Sequence, residues 1–193
     1  MTTLFATRDS NALTLQRAAY NSDLQAGWKV VTDAVHSRGG CIFVQLYHMG
    51  RATHSSFHDG SIPVSASAIS IDPNTCPSLR CVCDTCDGLL PCAVGCMPYD
   101  TPRALDEREI QGVVADFKSA AARGMAAGFD GVEIHAAYGY LIDQFLQSVS
   151  NQRADSYGGS VVNRARLLKE VVAAVSSVVP PDRVGVRLSP NGV

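Results

Sequence analysis

Three short runs carry apolar residues at every second position. Between them lie longer stretches in which apolar residues recur every three or four, so strands and helices are predicted in turn. The strands are Cys41-Ile-Phe-Val-Gln-Leu-Tyr47, Gly131-Val-Glu-Ile-His135 and Arg183-Val-Gly-Val-Arg-Leu-Ser189. Helical spacing appears in Leu24, Trp28, Val31 and Val35, which follow a capping-box pattern at Ser22-Asp-Leu-Gln25 and stop at Gly39-Gly40. It returns in Ile110, Val113, Val114, Phe117 and Ala121, behind an acidic start at Asp106 to Glu109 and ahead of Gly128. A short helix is expected over Leu141 to Gln147, a polar loop over Ser148 to Gly159, and a helix over about Val161 to Val178, closed by Pro180-Pro181. The first twenty residues carry little periodicity. Residues 49–104 are rich in Ser, Pro, Asp and Gly and read as a long loop excursion holding six of the seven cysteines. The succession strand, helix, strand, helix, strand calls for a parallel sheet covered by helices, within one domain over residues 1–193.

Parity then decides which side chains share a face. Ile42, Val44 and Leu46, Val132 and Ile134, and Val184, Val186 and Leu188 are expected under the helices. The opposite faces carry Gln45 and Tyr47, Glu133 and His135, and Arg187 and Ser189, each pair weighted toward the carboxyl end of its strand. In an α/β barrel that face is the interior and that end is the active-site rim. An amide, an imidazole and a guanidinium converging there suit a polar, partly anionic ring system or a phosphate-bearing cofactor. The stretch from His135 through Tyr138 and Tyr140 to Phe145 places acid–base groups where a strand hands over to a helix.

Composition narrows the class. With 193 residues, 46% hydrophobic and 18% charged, the chain is an ordinary globular domain, and a net charge of −2 without a Lys/Arg run argues against nucleic acid and anionic membrane as partners. The amino-terminal residues lack a secretory pattern and no apolar run reaches membrane-span length, so a cytoplasmic enzyme is the expectation. Its thiols are then reduced or metal-bound rather than paired. Cys81-x-Cys83-x-x-Cys86 with Cys92-x-x-x-Cys96 could offer four thiolates to zinc, but the paired knuckles of strong zinc sites are absent, so no metal site is assigned. His48, His54 and His58 read as scattered loop histidines, and Gly158-Gly159-Ser160 as a tight turn with a helix cap rather than an anion nest.

Four blocks in order carry a resemblance. They are Gln45-Leu-Tyr-His-Met-Gly-Arg51; Val132-Glu-Ile-His135 with Gly139-Tyr140-Leu141 and Gln144-Phe145; Asn151-Gln-Arg153-Ala-Asp155-Ser-Tyr157-Gly-Gly-Ser160 with Asn163-Arg164; and Val186-Arg187-Leu-Ser-Pro190. Together they resemble the Old Yellow Enzyme family. The resemblance implies a (β/α)8 TIM barrel holding FMN, reduced by NADPH or NADH, that passes hydride to the β-carbon of an activated, enone-type alkene. It further implies that Gln45 and Arg187 bind the cofactor, that His135 binds and polarises the substrate carbonyl, and that Tyr140 is the proton donor to the α-carbon. Tyr47 and Tyr138 would stand beside the substrate. A phenol, with an ordinary pKa near ~10, is protonated at neutral pH and suits the donor role.

Three departures qualify those expectations. Tyr138 stands where the family usually has Asn or a second His, which puts the paired clamp on the substrate oxygen in question. The excursion with Cys76, Cys81, Cys83, Cys86, Cys92 and Cys96 has no counterpart in the pattern. Only three strands can be read, by resemblance strands three to five, so the expectation is a barrel fragment with open edges, poorly stable or prone to self-association, that by itself binds FMN weakly or not at all. The competing reading is an inactive pseudoenzyme or a metal-binding or interaction module built on the cysteines.

Overall fold

The structure, a computed structural model, describes residues 2–5, 22–55, 58, 60–71 and 99–190. The cysteine cluster from Cys76 to Cys96 lies outside them, and Cys41 is exposed and free.

Four strands form one parallel sheet: β1 (Thr2–Phe5), β2 (Phe43–Tyr47), β5 (Gly131–Ala136) and β6 (Val184–Leu188), in the order β1-β2-β5-β6. Spatial order equals chain order, with no reversal of winding. A doubly wound sheet reverses at a switch point, whereas a barrel adds each strand beyond the last, so this order is that of consecutive barrel strands. β1 corrects the reading of the first twenty residues. Thr-Thr-Leu-Phe is too short to show alternation, and its pairing with Val44 to Tyr47 makes it a strand. Two further short strands, β3 (Val64–Ser65) and β4 (Arg103–Ala104), pair with each other and bring the far end of the 49–104 excursion back beside residues 64–65.

The helices form for local reasons the sequence displays. In α2 (Glu107–Ala126) the Asp106 carboxylate accepts the Glu109 N–H at 2.7 Å while Glu109 accepts the Asp106 N–H at 2.9 Å. The Arg103 guanidinium grips Glu109 with two bonds and, with the Asp106 N–H, holds its carboxyl below the usual range. Ile110, Val113, Phe117 and Ala121 are buried as their spacing predicts. α1 (Ser22–His36) departs from its predicted stripe: Val31 remains 41% exposed, and the buried position is Thr32, whose hydroxyl donates to the Ala127 carbonyl at 2.7 Å. The expected helix over 161–178 divides at Ala165 into α4 (Val161–Arg164) and α5 (Arg166–Ser176). Leu167, Val171 and Val175 of α5 face inward at four-residue spacing.

The core lies between the sheet and these helices. Val44, Leu46, Val132 and Ile134 are fully buried against α2 and α5, as parity requires. Of the third set, Val184 packs against this core, whereas Val186 and Leu188 are 40% and 55% exposed.

The Asn151–Ser160 loop closes the layer. Arg153 donates to both Asp155 oxygens at 3.0 Å and to the carbonyls of Ala66 and Leu105, so one guanidinium holds the loop, the end of β3 and the entrance to α2. Asn151 donates to the Phe145 and Tyr157 carbonyls, and Ser160 caps Asn163. Gly158-Gly159-Ser160 is therefore a turn with a cap.

Candidate active site

The site grows from the carboxyl ends of β2, β5 and β6. Parallel register sets Gln45 opposite Glu133 and His135 opposite Arg187. At the end of β5 the chain turns tightly, the Tyr140 N–H donating to the Ala137 carbonyl, and enters α3 (Leu141–Leu146) at Tyr140. Tyr138 and Gly139 are both left-handed in that turn, with φ of 54° and 76°. This geometry throws the residues after the strand back over its end, so His135, Tyr138 and Tyr140 meet.

Three tyrosines surround the imidazole of His135. Its ring centroid lies 5.1 Å from Tyr140, 5.7 Å from Tyr47 and 5.8 Å from Tyr138, the first and last edge-on. Tyr47 and Tyr140 themselves are 5.2 Å apart. Nδ1 of His135 accepts the Ala137 N–H at 3.2 Å, which leaves the ring proton on Nε2. Burial, reinforced by the Arg187 charge, lowers the histidine pKa. The imidazole is thus a neutral donor fixed in one tautomer, able to bond an oxygen without giving up its proton.

Arg187 projects from β6 into solvent, its Nη2 donating to the Tyr138 hydroxyl at 3.3 Å and its guanidinium lying 5.4 Å from the phenol centroid. Among the described residues it has no carboxylate in ion-pair contact. The Gln45 amide, nearly buried, donates to Glu133. Of the two cofactor candidates, one is therefore held by a carboxylate on the next strand and the other by a phenol. A permanent cation and a primary amide with its carbonyl oxygen left over, on one face of the sheet, form a donor set that fits the polar edge of a flavin.

Two residues without an assigned role in the sequence reading hold this arrangement. Gln144, 1% exposed, accepts from the Arg51 N–H at 3.2 Å and the Ser65 hydroxyl at 2.9 Å and donates to the carbonyls of Met49 and Gly139 at 3.1 and 2.7 Å. All four of its hydrogen-bonding positions are used, and they lock the loop after β2 to the turn after β5. Asp143 accepts the Gly139 N–H at 2.8 Å. The sequence signals for Gln144 are its place in the second block of the resemblance and a polar side chain inside the apolar run Leu141, Ile142, Phe145, neither of which gives its role.

The histidines of the excursion are not scattered on the surface. His48, His54 and His58 are all buried. His58 bonds the Thr53 hydroxyl at 3.0 Å, His54 approaches Asp100 at 3.7 Å, and His48 accepts the Gly50 N–H on Nδ1 while its Nε2 is buried with no partner among the described residues. Burial, and next the neighbouring His58, push the His48 pKa down to about 3. Among the described residues no group of three or more His, Cys, Asp or Glu could hold a metal, and no helix is long and apolar enough to cross a membrane.

Known proteins share this arrangement of sequence and fold. The chain is 42% identical over 164 residues to a putative 12-oxophytodienoate reductase 11 of Oryza sativa subsp. japonica, covering 84% of this chain and 41% of the relative. It is 44% identical over 172 residues to a probable flavin mononucleotide-dependent alkene reductase of Leishmania infantum, covering 89% and 44%. Among solved structures, the old yellow enzyme homologue from Zymomonas mobilis superposes with a TM-score of 0.83 at 39% identity over 98% of this chain and 49% of that one. Morphinone reductase in complex with tetrahydroNAD gives 0.82 at 39% identity, over 98% and 50%. The chain spans about half the length of these relatives. All of residues 1–193 match the family described as NADH:flavin oxidoreductase / NADH oxidase, and the chain belongs to that family.

Proposed function

We propose that the chain forms the substrate-activating part of an FMN-dependent ene-reductase acting on α,β-unsaturated carbonyl compounds. FMN, when bound, supplies the hydride it has taken from NADPH or NADH. Gln45 and Arg187 would hold it, the amide by hydrogen bonding and the guanidinium by placing a fixed cation against an electron-rich ring edge.

The residues of this chain do the rest. His135 donates its Nε2 proton as a hydrogen bond to the substrate carbonyl oxygen, stabilising the negative charge that develops there. The Ala137 N–H on Nδ1 and the flanking tyrosine rings keep the imidazole from turning, so the donor is preorganised. Tyr140 gives its phenolic proton to the α-carbon. Its backbone is pinned on both sides, the N–H to Ala137 and the carbonyl accepting from Gln144 N–H at 2.8 Å. Tyr47 forms the aromatic wall against which a flat conjugated alkene lies.

The observation that carries this reading is the neutral, Nε2-protonated His135 standing edge-on to Tyr140 at 5.1 Å. The relatives' descriptions as alkene and 12-oxophytodienoate reductases support it. The purified chain, reconstituted with FMN, is expected to turn yellow, to bleach on NADPH or NADH without air, and to recover colour when an enone such as 2-cyclohexenone is added. A colourless product after reconstitution would overturn the reading. Tyr140→Phe is expected to leave bleaching intact and slow recolouring about 10²- to 10³-fold, whereas equal slowing of both steps rejects the proton-donor role.

A further inference from the structure

Tyr138 is the one non-glycine residue with a left-handed backbone among the described residues. A bulky side chain adopts that conformation only when its surroundings impose it, and such strain collects at functional positions. Here the imposition comes from β6. The Ser189 hydroxyl accepts the Tyr138 N–H at 2.9 Å, Arg187 Nη2 donates to the Tyr138 hydroxyl at 3.3 Å, and the guanidinium lies over the ring at 5.4 Å. Arg187 of β6 and Ser189 just past its end thus hold both ends of this tyrosine. The bond and the negative potential of the phenol raise the Arg187 pKa further.

We propose that Tyr138 is the positioning residue for Arg187, a latch from the turn after β5 to β6 that fixes the cation facing the cofactor, rather than a second hydrogen-bond donor clamping the substrate. This rests on the FMN reading above and reassigns one residue within it. Arg187 has no carboxylate partner among the described residues and stands in solvent, so without the phenol its long side chain would sample many rotamers, and ordering it on binding would cost affinity. With the phenol, oxygen and ring face both hold the guanidinium before the cofactor arrives.

The test uses fluorescence quenching of FMN by the full chain. Tyr138→Phe keeps the ring and removes the acceptor, and the dissociation constant is expected to rise about threefold to tenfold, the effect of one lost hydrogen bond. In an Arg187→Ala background the same change is expected to do nothing. Tyr138→Asn separates positioning from packing, because Asn tolerates a left-handed backbone better than Tyr. Its melting temperature should rise while its FMN affinity falls; affinity and stability moving together would overturn the latch. In the cofactor-free chain, the Arg187 Nε–H NMR signal should be resolved and should be lost in Tyr138→Phe. An unchanged signal overturns the latch without touching the proposed function. A parent chain that binds FMN while Tyr138→Phe binds equally well also overturns the latch alone, whereas a parent chain that binds no FMN removes both.

Discussion

Two loops follow β5 in this molecule, and they are built on opposite terms. The Asn151–Ser160 loop carries the longest specific motif in the chain, and nearly every polar atom in it is spent on structure: Arg153 alone joins Asp155, Ala66 and Leu105. The Ala137–Tyr140 turn is shorter and carries the groups proposed for the chemistry. Its backbone is strained at Tyr138, that tyrosine is 56% exposed, and its cationic neighbour Arg187 has no carboxylate in ion-pair contact among the described residues. A sequence motif can therefore be specific because a loop must be held in one shape, while the groups proposed to meet a ligand are left partly unsatisfied. The rim keeps its strain because the scaffold, through Gln144 and Asp143, keeps it in place.

The largest effect that would break this contrast lies in the scaffold. Arg153→Ala removes a largely buried guanidinium and orphans Asp155 and two carbonyls, so a loss of about 3–5 kcal/mol is expected in urea unfolding. A loss below about 1 kcal/mol would show the motif is not structural. Next comes a pair of glycines. At Gly158 an added methyl would run into the Arg153 backbone, whereas at Gly139, with φ of 76°, nothing stands within 4 Å. Gly158→Ala is expected to cost about 3 kcal/mol or more. Gly139→Ala should cost only the left-handed penalty of about 1–2 kcal/mol.

A smaller effect is set by pH. His48 is neutral in the fold, with a pKa of about 3 against 6.5 for an ordinary histidine, so the native state binds fewer protons than the unfolded chain between those values. Its contribution is complete above pH 6.5 and is lost as pH falls toward 3. Between pH 7 and pH 5 the loss is about 2 kcal/mol by denaturant titration, and His48→Gln should flatten that slope. An identical slope in the variant would place the acid sensitivity elsewhere. Asp155 acts in the same sense at lower pH: the Arg153 bonds hold its carboxyl below 3.8, so its stabilisation is present above that value and disappears as pH falls below it.

Most of the layered architecture was legible in the chain. Alternation in Val132, Ile134 and their neighbours, and helical spacing in Ile110, Val113 and Phe117, report burial directly, because burial is what those periods encode. The four-residue strand β1 was not, since a strand that short shows no period and is recognised only by its partner. Residue types at the ends of β2, β5 and β6 marked the candidate rim. Parity made Glu133 a possible partner for Gln45 and Arg187 alike but did not settle the pairings, because the bonds from Gln45 to Glu133 and from Arg187 to Tyr138 join residues 88 and 49 positions apart. Gln144 and His48 were hidden for the same reason: a polar residue reveals its role only through the groups that fold around it.

By itself, then, the sequence determined the element order, the buried faces and the identity of the groups at the strand ends, all consequences of local propensity and of period along a single chain. Tertiary structure decided which of those groups touch, which are charged and which are strained. It fixed the proton of His135 on Nε2 through Ala137, surrounded that ring with Tyr47, Tyr138 and Tyr140, and drew Arg187 onto Tyr138. Hydrogen bonding and desolvation act over a few ångströms of space whatever the distance along the chain, so they are settled only when strands far apart in sequence lie side by side.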